Sequence, residues 1–187
     1  MTPSPARGAA EVLEHARAHP ARLGSTRLIC VDGPSGSGKT TLARQVADLA
    51  GAPLVRLDDL YPGWDGLFAV EPVVLALLRP LATGRPGSYR RYDWHAQEHR
   101  EEHRVDPAPV LVLEGVGSGN RAWRDRITTL VWVEAPAGER LARAVARDGE
   151  DARVHLLAWA ADEERWYAEQ GTRASADLVV DTRDDPG

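Results

Sequence analysis

The stretch Leu28-Ile29-Cys30-Val31-Asp32-Gly33-Pro34-Ser35-Gly36-Ser37-Gly38-Lys39-Thr40-Thr41 decides the fold. It opens as an apolar run of strand length and turns through a glycine-rich segment. A stretch with helical periodicity then runs from about Lys39 to Ala50. The turn fits GxxxxGK[ST], with the strand before it and the helix after it that the motif needs. Glycines let the backbone curl so that several N–H groups converge on one set of oxygens, and the helix adds the positive end of its dipole. Gly33, Ser35, Gly36, Ser37, Gly38, Lys39, Thr40 and Thr41 therefore form the expected phosphate cradle. Lys39 would reach the β and γ phosphates of ATP, and Thr40 would offer its hydroxyl to Mg²⁺. Of the 23 basic residues 22 are arginine and the only lysine is Lys39, which suits a position that needs a compact ammonium rather than a planar fork. The same count removes GTPases that read guanine through an [NT]KxD segment, since no second lysine exists to build one.

Outward from this motif the chain alternates strand and helix. Leu54 to Leu57, Val110 to Gly115, Thr128 to Ala135 and Asp177 to Asp181 read as further strands. Glu71 to Ala82, Gly138 to Asp148 and Ala152 to Gln170 read as helices. Continuous apolar strands such as VLVLEG suit a parallel sheet covered on both faces. The expectation is an α/β P-loop NTPase fold with a parallel sheet of about five strands, helices on both faces and a helical lid. Residues 1–187 make one domain, with a helical lead over 1–26 and the lid and following helix over about 138–170. Thr83 to Pro109 reads as a long polar region carrying aromatics and histidines. Within it His95, His99 and His103 stand four apart, on one face if helical, without the Cys or fourth ligand a zinc site needs.

Composition narrows the partners. A net charge of −5 argues against nucleic acid, because phosphate-backbone contact needs a basic surface. No apolar run is long enough to span a bilayer, so no membrane association is expected. The opening MTPSPARGAAEVLEHARAHP lacks the apolar core of a secretory signal, and one cysteine, Cys30, cannot form an internal disulfide. A cytoplasmic setting is expected, with Cys30 a small buried strand residue.

In a parallel α/β sheet ligands gather at the carboxyl ends of strands. Asp58 and Asp59 follow one strand and Glu114 closes another. Carboxylates there can hold a Mg²⁺ water shell or accept a proton from an attacking hydroxyl. If strand geometry continued through Asp58 and Asp59, the two would point to opposite sides. Over roughly residues 27 to 182 the sequence resembles the uridine kinase and phosphoribulokinase group of P-loop kinases. GPSGSGKT at 33–40, Asp58-Asp59-Leu60-Tyr61, Leu113-Glu114-Gly115, Tyr92-Asp93-Trp94 and the lid arginines Arg140, Arg143 and Arg147 carry that resemblance. It implies that Asp58 is the base for the acceptor hydroxyl, that Glu114 assists Mg²⁺ beside Thr40 and Asp58, and that Tyr92 lines the acceptor pocket. Where that group carries a ribose-gripping aspartate after a His-Pro pair, this chain has Glu71-Pro72-Val73, which leaves the acceptor open.

Asp59, Tyr61, Arg90, Arg91, Tyr92 and Glu114 are the residues expected around the acceptor. Arg140, Arg143 and Arg147 share one helical face, either as a solvated stripe or as a lid whose guanidinium groups neutralise the transferring phosphoryl. Two classes of function fit. One is an ATP- and Mg²⁺-dependent kinase acting on a hydroxyl of a small molecule, either neutral and nucleoside-like or already phosphorylated. The other is a nucleotide-binding switch or accessory ATPase without such an acceptor.

Overall fold

The computed structural model describes residues 5–183. In chain order its elements are α1 (Pro5–Ala18), β1 (Arg27–Asp32), α2 (Lys39–Ala50), β2 (Leu54–Arg56), α3 (Glu71–Leu81), β3 (Gly87–Asp93), β4 (Glu98–Val105), β5 (Val110–Glu114), β6 (Ile127–Glu134), α4 (Ala137–Asp148), α5 (Arg153–Gln170) and β7 (Leu178–Asp181). Five strands form one sheet in the order β2-β5-β1-β6-β7, and every neighbouring pair is parallel. No helix among the described residues is long and apolar enough to cross a membrane.

Two hydrophobic clusters explain why the strands are apolar throughout. Alternate residues of β1 face opposite ways: Leu28 and Cys30 join α3 and α5, while Ile29 and Val31 join α1 and α2. β5 repeats the division, with Leu111 and Leu113 on the first side and Val112 on the second. Each central strand buries both faces, so period-two alternation of polarity is absent. Cys30 is fully buried, and that burial pushes its thiol well above the usual range.

The polar region from Thr83 to Pro109 is a β-hairpin. β3 and β4 pair antiparallel as a separate two-stranded sheet. The segment Glu98-His99-Arg100-Glu101-Glu102-His103-Arg104 hides its strand character because polar cross-strand pairs, not an apolar face, hold it. Ser88 donates to Glu102 at 2.7 Å, Arg90 donates to the carbonyls of His99 and Arg100, and Tyr89 stacks on His103 with centroids 5.4 Å apart. His99 packs against Tyr92. Among the described residues no group of three His, Cys, Asp or Glu side chains is placed to hold a metal. The second strand also ends one residue early, since residues 57–59 form a 3₁₀ turn. Strand alternation therefore does not reach Asp58 and Asp59.

One buried carboxylate fixes how β1 leaves the sheet. Asp32 has no solvent exposure and accepts from Gly33 N at 2.7 Å, Gly117 N at 2.9 Å, Gly119 N at 2.8 Å and the Tyr167 hydroxyl at 2.8 Å. Burial pushes the carboxyl up, and these four donors pull it back. In Asp32→Asn one oxygen becomes an N–H₂ group facing a donor. Each buried donor left unpaired costs about 1–3 kcal/mol, so the unfolding free energy should fall by that amount, read as a lower urea midpoint with the slope unchanged. A midpoint equal to wild type would contradict this account.

Candidate nucleotide and acceptor site

The glycine-rich loop follows β1 directly, and its carbonyls are held from outside. Pro34 O receives Lys39 Nζ at 2.9 Å and Ser37 N at 3.2 Å. Arg140 donates to Ser35 O at 3.4 Å, Arg143 to Gly36 O at 3.5 Å, and the Thr182 hydroxyl to Ser37 O at 2.8 Å. Among the described residues, no acceptor is paired with the amides of Gly36, Gly38, Lys39, Thr40 or Thr41. A loop whose carbonyls are occupied and which leaves five successive or near-successive amides free is a site for a polyanion. Gly36 has φ 74°, and a Cβ there would lie 2.1 Å from Arg140 O, so only glycine lets α4 lie this close to the loop.

From the loop a chain of polar contacts runs toward β2. Thr40 donates to Glu114 Oε1 at 3.1 Å, Arg56 Nε lies 3.4 Å from the same oxygen, and Arg56 Nη2 lies 3.3 Å from Asp58 Oδ2. Arg56 is thus the hub of the acidic strand ends. Glu114 is 1% exposed. Burial first and Asp58 second push its carboxyl up, while Lys39, Arg56 and Thr40 oppose that rise. Its Oε2 is buried without a partner. An orphaned carboxylate oxygen beside the Thr40 hydroxyl, with the half-exposed Asp58 one arginine away, fits the oxygen donors Mg²⁺ takes.

Asp58 and Asp59 diverge despite the 3₁₀ turn. Asp58 lies toward Glu114 through Arg56, whereas Asp59 pairs with Arg91 of β3 at 3.8 Å. Burial pushes Asp59 up, with Arg56 and Arg91 working against it. The hairpin secures this turn, as Trp94 Nε1 donates to the carbonyl of Asp58 at 2.9 Å. Around it stands an aromatic wall: Trp64 lies 5.3 Å from both Trp94 and His155 and 6.2 Å from Trp159.

Other expected residues fall in different places. Tyr61 is 1% exposed and donates to Val116 O at 2.5 Å, so it supports the site from beneath. Tyr92 is buried against Trp94, and Arg90 is spent on β4 carbonyls. The three arginines of α4 divide: Arg140 and Arg143 grip the loop, whereas Arg147 pairs with Asp148 and its charge is felt from Asp58 and Glu114.

The sequence reading did not single out Arg56, Asp32 or Glu163. Glu163 of α5 is 2% exposed and accepts from Ser35 N at 2.7 Å and Trp159 Nε1 at 2.9 Å. Its signal was present, for Leu156, Trp159, Glu163 and Trp166 are the buried positions of α5, and a carboxylate on such a stripe needs donors.

Two outcomes follow from these contacts. Lys39→Ala should abolish nucleotide turnover while the melting transition stays cooperative, because Lys39 holds only a loop carbonyl here. A folded variant with full turnover would overturn the loop's assignment. For Glu114 the folded carboxyl is raised, so its stability contribution is complete below the unfolded value of about 4.3. It is lost as pH climbs through the raised value. Glu114→Gln removes that loss, so its thermal midpoint should exceed wild type at pH 8, with the gap closing toward pH 4. A constant gap would refute this.

A family model described as an AAA domain matches residues 29–168, from β1 and the loop through α5. No curated protein matches the chain. Among solved structures, one described as a possible uridine kinase from Bacillus stearothermophilus superposes with a TM-score of 0.68. It is 20% identical, and the match covers 93% of this chain and 97% of that one. A candidate fructose transport system kinase from a Silicibacter species gives a TM-score of 0.60 at 23% identity, over 95% and 98% of the two chains. At such identities the superpositions speak for the fold, a five-stranded parallel sheet of the P-loop NTPase type. The family model spans the loop and both helices that grip it, and the chain belongs to that AAA-domain family of P-loop proteins.

Proposed function

We propose that this protein is an ATP- and Mg²⁺-dependent kinase that phosphorylates a hydroxyl of an uncharged small molecule. The observation that carries the reading is the polar chain Thr40–Glu114–Arg56–Asp58, which ties the phosphate loop to a half-exposed carboxylate. A nucleotide-binding switch has little need of a carboxylate poised over an acceptor pocket. The two kinase-like folds described above agree with the reading without naming an acceptor for this chain.

In this mechanism the loop amides and Lys39 hold the phosphates, and Arg147 adds positive charge on the side of Asp58 and Glu114. Asp58 takes the proton of the acceptor hydroxyl as that oxygen bonds to the terminal phosphorus and the bond from phosphorus to the ADP oxygen breaks. Thr40 and Glu114 would hold Mg²⁺, which neutralises charge on the phosphates when bound. The aromatic wall of Trp64, Trp94 and Trp159 keeps water from competing with the acceptor.

The acceptor's charge follows from how the arginines are used. A phosphorylated acceptor needs cations to receive it. Arg56 is shared by Asp58 and Glu114, Arg91 is paired with Asp59, and Arg90 is bonded to strand carbonyls. With those cations engaged and aromatic faces available, a neutral ring-bearing polyol fits better than a phosphate ester.

Asp58→Asn should bind ATP nearly as wild type yet lose acceptor phosphorylation by about 10² to 10⁴, the usual worth of a positioned base. Asp59→Asn should lose far less. Equal losses in the two, measured with any acceptor found by screening for acceptor-dependent ADP release, would remove Asp58 from its role. Among the α4 arginines, Arg147→Ala should lower kcat more than it weakens ATP binding, whereas Arg140→Ala and Arg143→Ala should act mainly on ATP affinity. An unchanged kcat in Arg147→Ala would return it to the solvated stripe.

A further inference from the structure

Ser35 carries the first amide of the loop after Pro34, which has none. That amide is given to an internal anion, Glu163 Oε1, at 2.7 Å. The same oxygen accepts from Trp159 Nε1 at 2.9 Å, and Arg140 Nη1 lies 3.8 Å from Oε2. Arg140 also donates to Ser35 O. Helices α4 and α5 thus hold both polar groups of one loop residue, the N–H with a carboxylate and the C=O with a guanidinium.

We infer that Glu163 is a positioning residue that sets nucleotide affinity, its carboxylate occupying a loop donor against the phosphates and tying α5 to the state of the loop. The inference rests on the reading of the loop as a phosphate site. Its physical content is charge: a buried carboxylate on a loop amide repels a polyphosphate entering that loop, at short range and away from bulk screening. Arg140 partly offsets the repulsion. Space for adjustment exists, since a cavity of about 400 Å³ lined by Pro34, Trp132, Arg140, Glu163, Tyr167 and Arg173 lies alongside. No acceptor-side residue lines that cavity. Movement of Glu163 also carries Trp159, which shares its oxygen and packs on Tyr61 and Trp64. Loop occupancy and the aromatic wall are therefore joined through one side chain.

The test is direct titration of inorganic pyrophosphate and of ATP into the full chain, with no acceptor present. Glu163→Gln keeps an oxygen for Ser35 N and Trp159 and removes the charge, so both ligands should bind roughly tenfold tighter. A purely structural Glu163 predicts no gain, and an affinity equal to or weaker than wild type would overturn the inference. Arg140→Gln supplies an arm that does not depend on the first variant folding. It leaves the carboxylate unopposed and should weaken pyrophosphate binding, more so at low salt; unaltered binding there would equally count against the inference. Failure of wild type to bind either ligand would instead strike the phosphate-loop reading, so the two failures remain distinct. Tryptophan emission during the ATP titration should change in wild type, with a smaller change in Glu163→Gln, and an identical response in both would break the proposed link through Trp159.

Discussion

The carboxylate of Asp32 is the interaction on which the site depends. It lies at the point where β1 stops being a strand, and it is the only charged group in that strand's buried run. Its donors come from three separate parts of the chain: the loop's first glycine, the turn after β5, and α5. Removing a carboxylate from water is costly unless its oxygens are satisfied. The folded arrangement that satisfies them is also the one that brings the turn after Glu114 and the helix carrying Glu163 against the phosphate loop. Burial of one group thereby sets the relative position of three.

Around that fixed point the loop is shaped by its carbonyls. A chain of glycines alone has many conformations and loses much entropy when ordered. Here Arg140, Arg143, Thr182 and Lys39 each take a loop carbonyl, which leaves the amides of Gly36, Gly38, Lys39, Thr40 and Thr41 unpaired among the described residues. The arginine-rich composition suits this work, because a planar fork can bridge two acceptors at once, as Arg143 does between Thr182 and the loop. Lys39 is different, as its compact head reaches one loop carbonyl from α2 and can leave it for a phosphate.

Much of this was legible in the sequence, for reasons particular residues make plain. Leu28 to Asp32, Leu111 to Glu114 and Ile127 to Val133 are buried on both faces, so their apolar runs announced a covered parallel sheet. The glycine-rich motif and its single lysine located the loop. The hairpin stayed hidden because Arg90, Glu102, His99 and His103 stabilise it by polar pairing that hydrophobic periodicity does not register. Asp58 and Asp59 were expected to diverge by strand alternation. From a 3₁₀ turn, Asp58 instead pairs with Arg56 while Asp59 pairs with Arg91 of β3. Arg56 itself gave little sign, one charge between Val55 and Leu57, and its importance arises only when β2 and β5 lie side by side and bring Glu114 opposite it.

Helix α5 is where the phosphate loop and the aromatic wall, built from distant segments, meet. Its buried stripe interleaves Trp159, Glu163 and Trp166, so Glu163, which meets the loop, and Trp159, which belongs to the wall, lie one turn apart on one helix. On its inner side Trp166 closes over Gly117, where a Cβ would come within 3.2 Å of the indole, and Tyr167 reaches Asp32. The Asp32 network holds the helix at that end and Glu163 near its middle, while in its first turns the exposed His155 stacks on Trp64. Aromatic stacking of this kind contributes about 0.5–1.5 kcal/mol, small enough to exchange for contacts with an incoming ring. On the kinase reading, the stack of the exposed His155 on Trp64 can therefore give way to an incoming ring while Leu156 and Trp159, both buried, keep the start of α5 in place. Such a division lets one surface side chain adapt to the substrate while the helix keeps its geometry.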